Sequence, residues 1–397
     1  MRPNVTGAGR RPLTILHLHN SRIVGGVEVS LIGWLRHLNA ERCVARLFCF
    51  AEADGTERSL LAYIGQRDMS AHVLPWGWRK RLIAAVSELV RAIRANMPCI
   101  VHTHDMRPDI VGGLAARTAG VPWVASVHAW HSTWPDLAAK RRLIEAIRGR
   151  LLPYCDAVVA VSELTREETI RRGVPAGRVM TVHTGTSLED REPAIGRDAI
   201  RASLGFAADD IVIGNIARLH PEKGQALLIR AFERVSRSIP RARLLIVGDG
   251  TLREALRAEA SRLGLTGRVT FEPFRDDLAS LLGALDVFAL PSHAEGIPLV
   301  VYQAMAAALP VVASDVGGIS ELLTHENNAL LVSAGSVDAV ADALIRVAAD
   351  SKIRGALGKT ARETVYGDAR WSMATSTRRL EELYEQTWSR HDAAVAR

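Results

Sequence analysis

Three loops carry the residues whose types and spacing suit chemistry. In NIARLHPEKG, residues 215–224, Arg218 and Lys223 lie five apart across a turn containing Pro221. Two cations after an apolar run, near a helix start, can clamp a diphosphate: the guanidinium through paired hydrogen bonds, the ammonium as a point charge. The same spacing also describes a solvated turn. In ALPSHAEGIPLVVYQAMAAALPVVAS, residues 289–314, Glu295 and Gly296 stand just before Pro298. Proline suits the first position of a helix, so a helix is predicted to open at Pro298, with the amides of Gly296 and Ile297 turned outward for hydroxyls or phosphate oxygens. Glu295 suits the positive end of that helix, and Gln303 follows about five residues in. A plain N-terminal charge and an exposed helix residue fit these two positions as well. In HNSRIVGGVEVSL, residues 19–31, Gly25 and Gly26 precede a helix predicted to start near Val27 or Glu28. The glycines let a ligand approach backbone amides closely, though a tight turn also wants glycine. The loop is not G-x-G-x-x-G, and no acidic residue ends the second strand, which disfavours a nicotinamide cofactor.

Such loops need strands to carry them. Short apolar runs predict strands at 13–18, 43–50, 99–104, 122–128, 156–161 and 178–183, with helices at 28–39, 80–95, 108–119, 137–152 and 163–172. A polar, aperiodic stretch, SLEDREPAIGRD (187–198), reads as a linker. The alternation then restarts, with strands at 210–217, 242–248, 268–273, 285–291, 310–314 and 328–332. Helices are predicted there at 224–238, 251–263, 276–283, 298–308, 317–323 and 336–349. This βα repeat predicts the α/β class, with Rossmann-like doubly wound domains over residues 1–187 and 188–370. The two are expected to face each other across a cleft, with ligands at the C-terminal strand edges. Residues 371–388 read as a long amphipathic helix and HDAAVAR as a frayed tail, and 371–397 is expected to pack back toward the first domain.

Composition removes several classes. The 397 residues exceed one ordinary core. No uncharged apolar run of about 18 residues is present to span a membrane, and the N-terminus lacks the apolar stretch of a signal peptide. Four cysteines without C-x-x-C spacing fit small core residues in a reduced, cytoplasmic compartment. The net charge is uneven: +10 over residues 1–187 and −3 over the remainder. A basic first half suits an anionic membrane surface or a phosphorylated acceptor. PWGWRKRL (75–82) and residues 130–152 mix tryptophan, basic and apolar residues, which fits peripheral membrane docking or an ordinary solvated helix face. No basic stripe is interleaved with aromatics, so a nucleic-acid partner ranks low. With no D-x-D triplet and no His/Cys/Asp cluster at ligand spacing, no metal is expected.

Taken jointly and in order, the motifs are more specific. GGVE, VHTHD (101–105), SVHAWH (126–131), AVSELTRE (160–167), ARLHPEKG, LLIVGDG (244–250), EGIPLVVYQAMA and VGGISELL (316–323) span most of the chain. Together they resemble the family-4 retaining glycosyltransferases of GT-B fold, with the E-x7-E signature at residues 295–303. The resemblance implies a UDP- or GDP-sugar as co-substrate and no further cofactor. It implies transfer of a hexose, with retention and without metal, to a glycan or lipid-linked acceptor. Exopolysaccharide, capsule or lipopolysaccharide assembly is the implied setting, at or near the inner face of a membrane. Arg218 and Lys223 would hold the diphosphate and stabilise the departing nucleotide, and Glu295 would bind a sugar hydroxyl. Amides near Gly296, Ile297 and Pro298 would contact sugar or phosphate, and position 303 the ribose. Gly25 and Gly26 would approach diphosphate and acceptor, His128 would line the sugar pocket, and His104 would face the same cleft. A core or loop role competes for both histidines.

Two positions depart from the family pattern. The second acidic residue of E-x7-E is Gln303 here, which accepts through one amide oxygen. That implies weaker or altered nucleotide affinity. Thr184 and Ser187, in VHTGTSLED (182–190), replace the polar residues of an Asn-Gly-x-Asp turn. A sugar-nucleotide 2-epimerase shares the architecture but would need acid/base carboxylates in the cleft. A catalytically silent glycosyltransferase-like subunit is the reading that Gln303 favours.

Overall fold

The structure is a computed structural model that describes residues 11–20, 24–51, 57–75, 80–130, 139–185 and 194–396. The chain forms two compact units, Met1–Gly185 with Met373–Arg397, and Thr186–Ser372.

In the first unit the strands are β1 (Leu13–His19), β2 (Cys43–Phe50), β3 (Ala71–Leu74), β4 (Cys99–His104), β5 (Trp123–Val127), β6 (Ala157–Ala160) and β7 (Val179–Thr181). Between them run α1 (Gly26–His37), α2 (Glu57–Gly65), α3 (Lys80–Ala95), α4 (Met106–Ala119), α5 (Ala139–Leu151) and α6 (Glu163–Arg171). The parallel sheet has the order β3-β2-β1-β4-β5-β6-β7. Central strands such as β4, CIVHTH, are buried along their whole length, because helices cover both faces of a parallel sheet. The winding reverses between β1 and β4, and such a switch point is where open α/β sheets take ligands. All four cysteines are buried free thiols in this unit.

The second unit holds α7 (Arg197–Ser203), β8 (Ile211–Ile216), α8 (Gln225–Ser238), β9 (Ala242–Val247), α9 (Arg253–Arg262), β10 (Val269–Glu272) and α10 (Leu278–Ala284). It continues with β11 (Val287–Leu290), α11 (Leu299–Ala306), β12 (Val311–Ser314), β13 (Ala329–Val332), α12 (Val337–Ala349) and α13 (Ser351–Gly367). Its parallel sheet, β10-β9-β8-β11-β12-β13, repeats the first unit's winding, with the switch point between β8 and β11. The stretch expected as a helix at 317–323 is a 3-10 turn, Gly317–Glu321.

The last helix, α14 (Met373–Val395), belongs to the first unit. Met373, Leu380, Leu383 and Tyr384 pack with Leu13, Ile15, Trp34 and Ile100 on one face of its sheet. The Trp34 indole donates to Ser376 Oγ at 2.6 Å, and Arg42 pairs with Glu381 and Glu385 at 2.8 Å. The expected frayed tail is instead helical to Val395, and a His391 ring nitrogen lies 3.0 Å from the Gly120 carbonyl oxygen.

Candidate active site

In the second unit, the loops after β8 and β11 meet at the switch point. After β8 the chain reaches a 3-10 turn, Pro221–Lys223, which His220 caps. Gly224 follows with φ +69°, and a Cβ there would fall 2.0 Å from the Pro291 carbonyl oxygen. Only glycine gives both that conformation and that approach, so the turn lies against the end of β11. The β11 loop is fixed in the same way on its other side. Gly317, φ +60°, passes so close to Glu295 that a Cβ would stand 1.8 Å from the Glu295 carbonyl oxygen.

This packing brings Lys223 to Glu295 across 72 residues of chain. Lys223 Nζ lies 2.8 Å from both carboxylate oxygens, and Ser292 Oγ donates to Oε1 at 2.7 Å. The carboxylate side chain is only 5% exposed and the lysine 19%. Arg218 stands on the same loop as Lys223, and its Nη2 donates to Glu222 Oε1 at 2.8 Å. Each cation therefore has its own carboxylate.

Helix α11 begins at Leu299, one residue later than expected, with Pro298 as its extended cap residue. The extra residue leaves Gly296 three positions ahead of the helix, and its carbonyl accepts from Gly318 N–H at 2.9 Å. The Ile297 side chain packs into the unit's core. Gln303 is the fifth helical residue and is buried rather than exposed.

At the first unit's switch point, α1 begins at Gly26, earlier than expected, with Gly25 as cap residue. Glu28 explains the early start. One carboxylate oxygen accepts from the Gly25 amide at 2.8 Å, and the other lies 2.8 Å from His19 Nε2. Gly25 is extended, and a Cβ on Gly26 would meet nothing within 4 Å. A Cβ on Gly25 would stand 3.4 Å from Glu28 Oε2, an ordinary van der Waals contact.

His104 is fully buried and does not line an open surface. Its Nε2 is 3.0 Å from His17 Nδ1, and its ring stacks at 5.8 Å on His128. His102 bridges Tyr384 O–H at 2.6 Å and Ser126 Oγ at 2.8 Å. The ladder arises from register: His17 faces His102 and His19 faces His104 on neighbouring parallel strands. Reading ligand spacing along the chain missed this cluster. Histidines two apart on each of two strands were the available signal. Nitrogens of His17, His102 and His104 lie within 4.8 Å of one another, as metal ligands do. They are engaged in hydrogen bonds, however, and of these three rings His104 Nδ1 is the buried nitrogen without a partner; His128 Nε2 and His19 Nδ1 share that condition.

Burial pushes the His17 imidazole down to about 3 and that of His128 to about 4, and drives His102 and His104 well below their ordinary value. Their folded pKa values are thus depressed, so their contribution to stability is complete above about pH 6.5, where unfolded histidine is neutral. It is lost as the pH falls from there toward 4 and then 3. Denaturant titration of the first unit should show falling stability between pH 7 and pH 5; a flat profile would refute the assignment.

Parts of the expected membrane-facing stretches, residues 76–79 and 131–138, lie outside the described residues, as does Ser187 of the 182–190 turn. Leu143 and Ile147 of α5 are exposed. Trp130, by contrast, donates to Thr169 Oγ1 at 3.0 Å under the Arg172 guanidinium, 4.0 Å from the ring centre. Arg148 is buried and held by Asp109 at 2.8 Å, away from any exposed face. Among the described residues, no helix is long and apolar enough to cross a membrane.

Two parallel sheets wound in the same order, each with its polar loops at the switch point, define a protein of the GT-B type. The chain belongs to the family-4 glycosyltransferases: residues 24–190 match the Glycosyltransferase Family 4 model, and residues 196–364 match Glycosyl transferases group 1. It is 32% identical over 298 residues to the GDP-mannose-dependent alpha-(1-6)-phosphatidylinositol monomannoside mannosyltransferase of Mycobacterium tuberculosis, covering 70% of this chain and 76% of that one. It is 28% identical over 305 residues to the UDP-Gal:alpha-D-GlcNAc-diphosphoundecaprenol alpha-1,3-galactosyltransferase of Escherichia coli, covering 75% and 77%. The fold also matches the crystal structure of Anabaena HepE in complex with UDP and glucose. That match has a TM-score of 0.81 at 24% identity and covers 94% of this chain and 99% of the other.

Proposed function

We propose that this protein transfers a hexose from a UDP- or GDP-sugar to a glycan or lipid-linked acceptor, with retention and without a metal ion. The observation that carries the reading is the Lys223–Glu295–Ser292 cluster at the second unit's switch point, with Arg218 on the same loop. As the glycosidic bond to the nucleotide breaks, negative charge grows on the leaving diphosphate. Cations aimed there stabilise the transition state more than the ground state. Arg218 and Lys223 fill that role in the proposal. Glu295, oriented by Ser292 and Lys223, takes a donor hydroxyl. Retention follows if the departing phosphate accepts the acceptor's proton on the face it leaves. In this reading the first unit's helix start at Gly25 and Gly26 approaches the diphosphate and the acceptor, and His128 lines the sugar pocket. Both enzyme relatives named above act on lipid-linked acceptors by their names, one with UDP-Gal and one with GDP-mannose. Those names support a membrane polysaccharide or glycolipid setting and leave the base open.

The test is thermal denaturation with UDP, GDP and their sugars, in EDTA, for wild type and Arg218→Ala. A ligand bound only by the native state stabilises it by about 2.7 kcal/mol at a hundredfold excess over Kd. One nucleotide is expected to raise Tm in wild type and to do so much less in the variant. If none shifts Tm at millimolar concentration, the donor reading falls, and the silent-subunit reading that Gln303 favours replaces it.

A further inference from the structure

We infer that Glu222 is a positioning residue for Arg218, and that donor affinity depends on it although it reaches no ligand itself. The inference rests on the proposed donor site. Glu222 sits in the turn Pro221–Lys223, between the two residues assigned to the diphosphate, and its side chain is only 4% exposed. Arg218, its partner, is 47% exposed. A long arginine half in solvent samples many rotamers, and ordering it on arrival of a ligand costs entropy. Glu222 has already done that ordering, through a 2.8 Å bond to Nη2.

Glu222 is itself fixed by the opposite loop. Its carbonyl accepts from the His293 amide at 2.7 Å, so the residue ties the loop of Arg218 to the loop of Glu295. His220 Nδ1 stands 3.5 Å from its other carboxylate oxygen. The arrangement holds the guanidinium on a turn that is tied to the opposite loop before any donor is present.

Electrostatics alone predicts the reverse. A carboxylate beside a diphosphate site repels the ligand, so removing its charge should tighten binding. Positioning predicts weaker binding. The sign of the effect therefore decides between them.

Calorimetric titration of the full chain with UDP and with GDP provides the test, on wild type, Glu222→Gln, Arg218→Ala and the double variant. The nucleotide that binds wild type is expected to bind Glu222→Gln about tenfold more weakly, and the double variant no more weakly than Arg218→Ala. Tighter or unchanged binding by Glu222→Gln overturns the inference, and so do additive losses in the double variant. If Glu222→Gln does not fold, Arg218→Lys carries the test: it keeps the charge and loses the fork that Glu222 holds. Wild-type affinity in Arg218→Lys overturns the positioning role. Wild-type affinity in Arg218→Ala instead removes the donor-site reading beneath it, which separates the two failures.

Discussion

Lys223→Ala is expected to lower kcat/KM for sugar transfer by about a thousandfold, the scale of losing one well-placed charge-stabilising donor. Two losses coincide in this substitution. The diphosphate would lose one of its two cations at the moment its charge grows. Glu295, 5% exposed, would keep Ser292 as its hydroxyl partner but lose its counter-charge. A buried carboxylate stripped of its cation typically costs about 3–5 kcal/mol, so the second unit should also unfold at lower denaturant. Glu295→Gln separates the two effects. It keeps an acceptor and removes the buried charge, so stability should fall less while transfer is still lost. Initial rates and denaturant midpoints on both variants measure this. A Lys223→Ala enzyme with wild-type kcat/KM would refute the catalytic assignment.

Ending the chain after Ser372 is expected to unfold the first unit while the second still melts cooperatively. The side chains of Met373, Leu380, Leu383 and Tyr384 fill the layer against Trp34, Ile15 and Ile100. Removing one large buried side chain of this kind costs about 3–5 kcal/mol, against a total of about 5–15 kcal/mol for a domain. The whole helix exceeds that margin. The point variant Tyr384→Phe isolates the hydroxyl bonded to His102 and should cost only about 1–2 kcal/mol, because it leaves the ring in place. Differential scanning calorimetry should show one transition missing in the truncated chain. Two intact transitions would show that α14 is dispensable.

The sequence disclosed the elements best where burial was two-sided. β1, β4, β8 and β11 are short, mostly apolar and buried along nearly their whole length because parallel strands meet helices on both faces. β3 escaped detection: AHVL is four residues at the sheet edge, with His72 and Val73 exposed, so neither length nor pattern marks it. α13 was hidden by its own glycines. Gly358 lies against the Ala308 carbonyl, where a Cβ would stand 2.1 Å away, so close packing rather than chain breaking put it there. At the candidate site, the positions of Arg218, Lys223 and Glu295 on loops after strands of the second sheet were legible. Their pairing was not, since Lys223 could have met Glu222 beside it in sequence, and only the backbone contact at Gly224 directs it to Glu295. The histidine ladder left only the i, i+2 spacing on each strand as a signal, because no spacing along one strand shows which strand lies beside it.

The return of α14 also sets an order of events during synthesis. The chain leaves the first unit at Gly185, builds all of Thr186–Ser372, and only then supplies the helix that closes the earlier sheet. On the ribosome, the second unit has its full complement of residues before the first does. Until Leu380 and Tyr384 emerge, Leu13, Ile15 and Ile100 lack the side chains that cover them in the folded unit. The half that starts first is finished last, and any message cut short before α14 yields a chain whose oldest part is the part left open.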